Sequence, residues 1–283
     1  MKTRLLVIGS IVGTMSLLVA GCTSGTAPTA TPTTAATPKV EVGKVTFTIV
    51  YDNYEHAPAL ETDWGFACLV ETEEATVLFD TGGNGPMLLR NMAALGKDPQ
   101  TIDAVVLSHI HGDHTGGLLP LLSTGIKPPV YVPAAFPATF KDAVRARTEL
   151  VEVPGPIEIV PGVHSTGHLT WSSTFGTIVE QALVVQTDEG WVVVTGCAHP
   201  GVVNLVRRAR EVTGGEIALV MGGFHLGNSS TGRIESIIRN LRDLGVQKAG
   251  PCHCSGDKAR ELFAAAFDEN YVPIGVGSVI VIE

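Results

Sequence analysis

The segment Ser108-His109-Ile110-His111-Gly112-Asp113-His114-Thr115-Gly116-Gly117 constrains this chain more than any other. It puts three imidazoles and a carboxylate within one short run. Such a run is costly to bury unless its charges and hydrogen bonds are satisfied. Neutral imidazoles and carboxylates are also the donors Zn²⁺ prefers, at about 2.1 Å. The plainer alternative is a solvated loop that happens to hold three histidines. With nine His in 283 residues, that grouping is a poor accident. In an extended turn, His109 and His111 would face one cation, and Asp113 and His114 a second one nearby. Gly112 and the Gly116-Gly117 pair would let the backbone bend tightly around the ions.

The rest of the pattern suggests sheets covered by helices. Val45 to Tyr51 alternates as a strand does. Short apolar, β-branched runs follow at 66–70, 75–79, 104–107, 130–132, 157–160, 182–186, 191–195, 217–221 and 272–282. Helical spacing appears at Leu88/Asn91/Met92/Leu95, Val202/Leu205/Val206/Ala209, Ile234/Ile237/Ile238/Leu241 and Ala259/Leu262/Phe263/Ala266, with Asp257 as the expected N-cap of the last. Reactive residues sit where strands end: Asp80, His109, Cys197 with His199, His225, and Cys252-His253-Cys254. Such junctions commonly gather into one cleft. Cys197, Cys252 and Cys254 each lie within two residues of a histidine, so a metal role and a disulfide both remain open.

The start of the chain reads as an address. Lys2 and Arg4 precede an apolar stretch ending in Val19-Ala20-Gly21-Cys22, as in a bacterial lipoprotein signal with Cys22 lipidated. The expected organisation is a signal over 1–21, a Thr/Ala/Pro-rich tether over 22–40 and a globular domain over 41–283. The protein would be exported and lipid-anchored to the outer face of the cell membrane. The formal charge of −9 and the lack of evident Lys/Arg clusters argue against nucleic acid and favour a small-molecule substrate. The sequence contains no dinucleotide-binding loop, no phosphate loop ending in Lys and no nucleophile elbow.

The His109–His114 run resembles the hallmark of the metallo-β-lactamase superfamily. Phe79-Asp80-Thr81-Gly82-Gly83, Gly196-Cys197-Ala198-His199-Pro200-Gly201, Gly222-Gly223-Phe224-His225-Leu226 and Cys252-His253-Cys254-Ser255-Gly256 are similar to one branch. That branch is named for 7,8-dihydropterin-6-methyl-4-(β-D-ribofuranosyl)aminobenzene 5′-phosphate synthase. The resemblance implies an α/β (α+β) fold, a four-layer αββα sandwich, with two divalent metal ions at one edge of the sheets. Zn²⁺ is the first choice, with Fe or Mn as alternatives. It implies His109, His111, Asp113 and His114 as ligands, with His199 and His253 completing the two centres and His225 a close rival. Cys197 stands where many members carry a bridging Asp. Asp80 is expected to orient a ligand histidine or to form a turn. Trp64 replaces a residue of the branch's pocket. His164 and His168 read as an exposed loop or a substrate-facing one, His56 as surface or cleft rim, and Trp171 and Trp191 as core or loop anchors.

The expected activity is metal-dependent hydrolysis, a metal-activated water attacking an ester, lactone, amide or phosphoester, with Asp113 catalytic. The alternatives are the branch's synthase-like transfer, iron redox chemistry, and a non-catalytic surface metal-binding lipoprotein.

Overall fold

The computed structural model describes residues 43–174 and 176–282. The expected signal, tether and Cys22 therefore lie outside the described residues. Among the described residues, no helix is long and apolar enough to cross a membrane.

The chain begins with β1 (Val45–Tyr51), β2 (Ala67–Glu71), β3 (Thr76–Phe79), α1 (Gly85–Ala94) and β4 (Ala104–Val106). The short helices α2 (Gly112–Thr115) and α3 (Leu118–Leu122) follow, then β5 (Val130–Pro133), α4 (Ala138–Arg145), β6 (Leu150–Val153), β7 (Ile157–Val160) and β8 (Val163–Ser165). A hairpin, β9 (Leu169–Ser173) and β10 (Gly176–Glu180), precedes β11 (Leu183–Thr187), β12 (Gly190–Thr195) and α5 (Val202–Thr213). The chain ends with β13 (Ile217–Gly223), α6 (Thr231–Asp243), β14 (Lys248–Cys252), α7 (Asp257–Phe267) and β15 (Val279–Ile282).

One sheet has the order β15-β1-β2-β3-β4-β5-β6 and the other β14-β13-β12-β11-β8-β7. Strand alternation divides the apolar side chains between two faces. Phe47, Ile49, Val77, Phe79, Val192, Val194, Leu219 and Met221 fill the space between the sheets. Leu78 and Val105 face outward under α1 and α3, whose Leu88, Met92 and Leu118 cover them. Val193 and Val220 face the opposite way, against Leu205, Ile234 and Phe263 of α5, α6 and α7. The result is four layers, αββα. The central strands are buried on both faces, which explains their unbroken apolar runs.

The expected helices form at their periodic positions. Three details differ. Asp257 is the first residue of α7, and the cap is Gly256 with φ +79. The expected strand over 272–282 is β15 alone, because Gly277 at φ +90 turns the chain and Gly275 passes against the Tyr54 carbonyl too closely for any Cβ. The loop after β4 is not an extended turn: residues 112–115 are a short helix.

Strands β3 and β4 run parallel, as do β12, β13 and β14. Their carboxyl ends deliver Asp80, Ser108-His109, Cys197-His199, His225 and His253 to one edge of the sandwich. Asp80, Ala198, His225 and His253 have φ of 58, 58, 52 and 46°. Left-handed backbone at non-glycine residues is strained, and it clusters where side chains must be aimed.

Candidate metal centre

His109 follows β4 and is fully buried. Its Nδ1 lies 2.9 Å from Ser108 Oγ and its Nε2 lies 3.1 Å from His111 Nδ1. His199, from the loop after β12, brings its ring within 4.7 Å of His109 and 4.9 Å of His111. The ligating atoms of these three residues all lie within 4.8 Å of one another. Asp113, His114, Cys197 and His253 make a second group on the same criterion. There Asp113 Oδ2 is 3.5 Å from His114 Nε2 and 3.3 Å from His253 Nε2, and His114 Nε2 is 3.2 Å from Cys197 Sγ.

Each of four rings is fixed from behind. His114 Nδ1 meets Asp80 Oδ2 at 2.7 Å, His199 Nδ1 meets Glu180 Oε2 at 2.8 Å, and His253 Nδ1 meets Asn53 Oδ1 at 2.9 Å. Ser108 does the same for His109. These contacts leave every Nε2 facing inward, the arrangement that orients ligand histidines. Asp80 also accepts hydrogen bonds from Ser108 N and Oγ, both at 2.7 Å, so it ties β3 to the start of the motif. It thus stands behind His114, at a left-handed turn of the backbone with φ 58°.

Glu180 went unnoticed in the sequence. It is completely buried and accepts backbone N–H bonds from Cys197, Ala198 and His199 at 2.8, 2.7 and 2.8 Å. One carboxylate thus holds the whole turn that carries Cys197 and His199. The available signal was an acidic residue two positions before the apolar run at 182–186. Burial alone would raise its pKa, but His109 and the hydrogen bonds from His199 outweigh this and hold it well below the usual range.

The glycines of the motif act by close approach rather than by bending. A Cβ at Gly116 would strike the Gly83 carbonyl, and one at Gly117 the Thr81 carbonyl. Gly112 has open space around it.

A sequence profile of the metallo-beta-lactamase superfamily matches residues 65–208. The chain belongs to this superfamily. It is 29% identical over 85% of its length, and 99% of the relative's, to 7,8-dihydropterin-6-methyl-4-(beta-D-ribofuranosyl)-aminobenzene-5'-phosphate synthase of Methanocaldococcus jannaschii. Among solved structures it is similar to Tm1679, a metal-dependent hydrolase of the beta-lactamase superfamily (TM-score 0.69, 28% identity, 83% of this chain and 98% of that one). YhfI from Bacillus subtilis shares the fold at 17% identity, with TM-score 0.63 over 84% of this chain and 99% of that one.

The donor set fits the divalent cations that this superfamily's fold implies. His253 Nε2 is buried with no hydrogen-bond partner, an expensive state for a polar atom unless something binds it. Burial, reinforced by neighbouring histidines, pulls His109 well below its ordinary pKa, so its ring is neutral. Burial would raise the Asp113 carboxyl, but the His114 and His253 rings that face it hold it well below the usual range, so it is ionised. Neutral imidazole and ionised carboxylate are the states metal binding requires. Burial opposes protonation of His114, yet Asp80 and Asp113 outweigh it and push the pKa up to about 10; a cation at Nε2 would take that proton's place.

The remaining expected residues divide clearly. His225 joins neither group of histidines; it clusters with Cys197 and Cys254, its exposed ring 4.5 Å from that of His199. The described cysteines 68, 197, 252 and 254 are free thiols. His168 turns Nδ1 to the Val153 carbonyl, and His164 packs on Trp191. Trp171 departs from its expected role as an anchor: it is 36% exposed, its ring 6.1 Å from His199. Trp64, 55% exposed, lies 4.8 Å from the ring of His253. Two indoles therefore flank the centre.

Proposed function

We propose that this chain is a metal-dependent hydrolase of an ester, lactone, amide or phosphoester. His109, His111 and His199 would hold one divalent cation, and Asp113, His114 and His253, with Cys197 beside them, the other. Zn²⁺ is the cation that imidazole, carboxylate and thiol donors best suit. When bound, such cations polarise a carbonyl or phosphoryl oxygen and bring the pKa of a water toward ~7.

The observation that carries this reading is the position of Asp113. Its side chain is 20% exposed, whereas those of His114 and His253 are fully buried. Asp113 alone among that group of donors reaches the open side, ionised, where it can accept a hydrogen bond from an attacking water and orient it. Asp80, Glu180 and Asn53 keep the imidazoles in place while this happens. The other expectations are proposals on the same footing: a domain starting near residue 41, a small-molecule substrate, and export with a lipid anchor at Cys22.

Metal analysis together with a hydrolysis panel tests the reading. The metal-loaded protein should turn over at least one member of the four substrate classes. Asp113→Ala should cut kcat by 10²-fold or more while the fold persists. Equal kcat in a variant of verified metal content would refute the role of Asp113. A synthase-like transfer is the second reading, favoured by the near full-length match to the Methanocaldococcus enzyme. It predicts product formation from a phosphoribosyl donor and no hydrolysis across the panel.

A further inference from the structure

A cleft of about 460 Å³ is lined by His199 and by residues of α5 and α6. Trp171, Arg207, Arg233, Ser236 and Asn240 also line it. No carboxylate lines it. In a chain of net charge −9, that is an unusual local balance.

The two arginines also carry no ion pair among the described residues. Arg90, Arg145 and Arg208 pair with Glu61, Glu152 and Glu211. Arg207 donates only to Asn204 Oδ1, at 2.8 Å, and Arg233 has no side-chain hydrogen bond or ion pair among the described residues. Two guanidinium groups on separate helices thus share one acid-free cleft. Their mutual repulsion is relieved when an anion sits between them, and planar forked donors suit oxyanions.

We propose that this cleft is an anion site that holds a phosphate group of the substrate, with Arg207 and Arg233 as its clamp. A carboxylate offers two oxygens, whereas the two guanidiniums, the Ser236 hydroxyl and the Asn240 amide offer more donors than two oxygens can use. The three free oxygens of a phosphate monoester match them better. His199 lines the same cleft, with the Trp171 ring 6.1 Å from it, so a substrate anchored by its phosphate extends past these two rings toward the donor groups. The exposed indole then covers the stretch between anchor and reacting bond. The assignment of the anion to a substrate rests on the hydrolase reading; the anion site itself does not.

Calorimetry with inorganic phosphate tests the proposal, on full-length protein of verified metal content. Wild type should show a class of phosphate site that weakens about tenfold in Arg207→Gln or Arg233→Gln and disappears in the double variant. Arg239→Gln, on the other side of α6 beside Glu235 and Leu262, should leave the isotherm unchanged. Succinate should bind more weakly than phosphate. An unchanged isotherm in the double variant would overturn the site, and succinate binding as tight as phosphate would overturn its assignment to phosphate. Phosphate binding with the expected pattern, but no turnover on the hydrolysis panel, would keep the site and defeat the hydrolase reading. Turnover without the arginine-dependent phosphate class would do the reverse.

Discussion

Glu180 shows how one side chain decides the geometry of a site several residues away. Its carboxylate satisfies three consecutive backbone N–H groups and one imidazole. Glu180→Ala leaves those donors buried and unpaired, and a loss of roughly 3 kcal/mol of stability is expected from denaturant unfolding. Glu180→Gln preserves size and one acceptor, so it should cost less. Both variants should bind less metal at the His109/His111/His199 group, read as metal per chain. Asp52 makes the opposite case. It is buried, its Oδ1 accepts from Tyr54 N at 2.8 Å, and its Oδ2 has no partner. Burial pushes its pKa up to about 6, against hydrogen bonds and the charge of Arg260 that pull it down. Because the folded pKa is raised for an acid, ionisation costs stability as pH rises from ~4 through ~6. Asp52→Asn should therefore be more stable than wild type by up to about 3 kcal/mol above pH 7, and should gain nothing near pH 4. Parallel unfolding curves across that range would refute the assignment.

At the scale of elements, the strand-to-helix junctions carry the chemistry, and their glycines mark where chains approach. Gly196 follows β12 and lies against Ser108 and Asp80, and an added Cβ there would overlap the Ser108 hydroxyl. Gly196→Ala should cost several kcal/mol and lower metal content, because the end of one sheet can no longer close on the other. Gly112 is the first residue of α2 with nothing near it. Gly112→Ala should be neutral, or stabilising by about 0.5 kcal/mol through the unfolded chain. Thermal denaturation of the pair separates steric need from backbone freedom. The helices were readable because α1, α5, α6 and α7 each bury one periodic face. The hairpin β9–β10 was not, since it pairs only with itself in sheet order β10-β9 and much of it is exposed, so it leaves little hydrophobic alternation.

For the whole molecule, the candidate ligands come from both sheets. His109, His111, Asp113 and His114 follow β4 of one sheet, whereas His199 and His253 follow β12 and β14 of the other. Cations held between them would cross-link the two halves of the sandwich. Chelation should then lower the melting temperature by about 5–10 °C at ligand concentrations near 100 times Kd. Re-addition of Zn²⁺ should restore it. A melting temperature indifferent to chelator in a protein shown to lose its metal would mean that the two sheets hold together without help from the site.

The sequence alone determined the local terms: the donor-rich run at 109–114, the periodic helices and the short apolar strands, whereas the superfamily and its four layers were implied by resemblance. The local terms follow from spacing along the chain, which fixes which side chains share a face. Only the tertiary structure decided which distant residues meet. It placed His199 with His109 and His111, His253 with Asp113 and His114, and His225 with Cys197 and Cys254. It also brought Glu180 and Asn53 behind the rings, and Arg207 and Arg233 to one cleft. Those pairings depend on sheet order and on backbone angles at the strand ends, and one chain's residue spacing does not encode either.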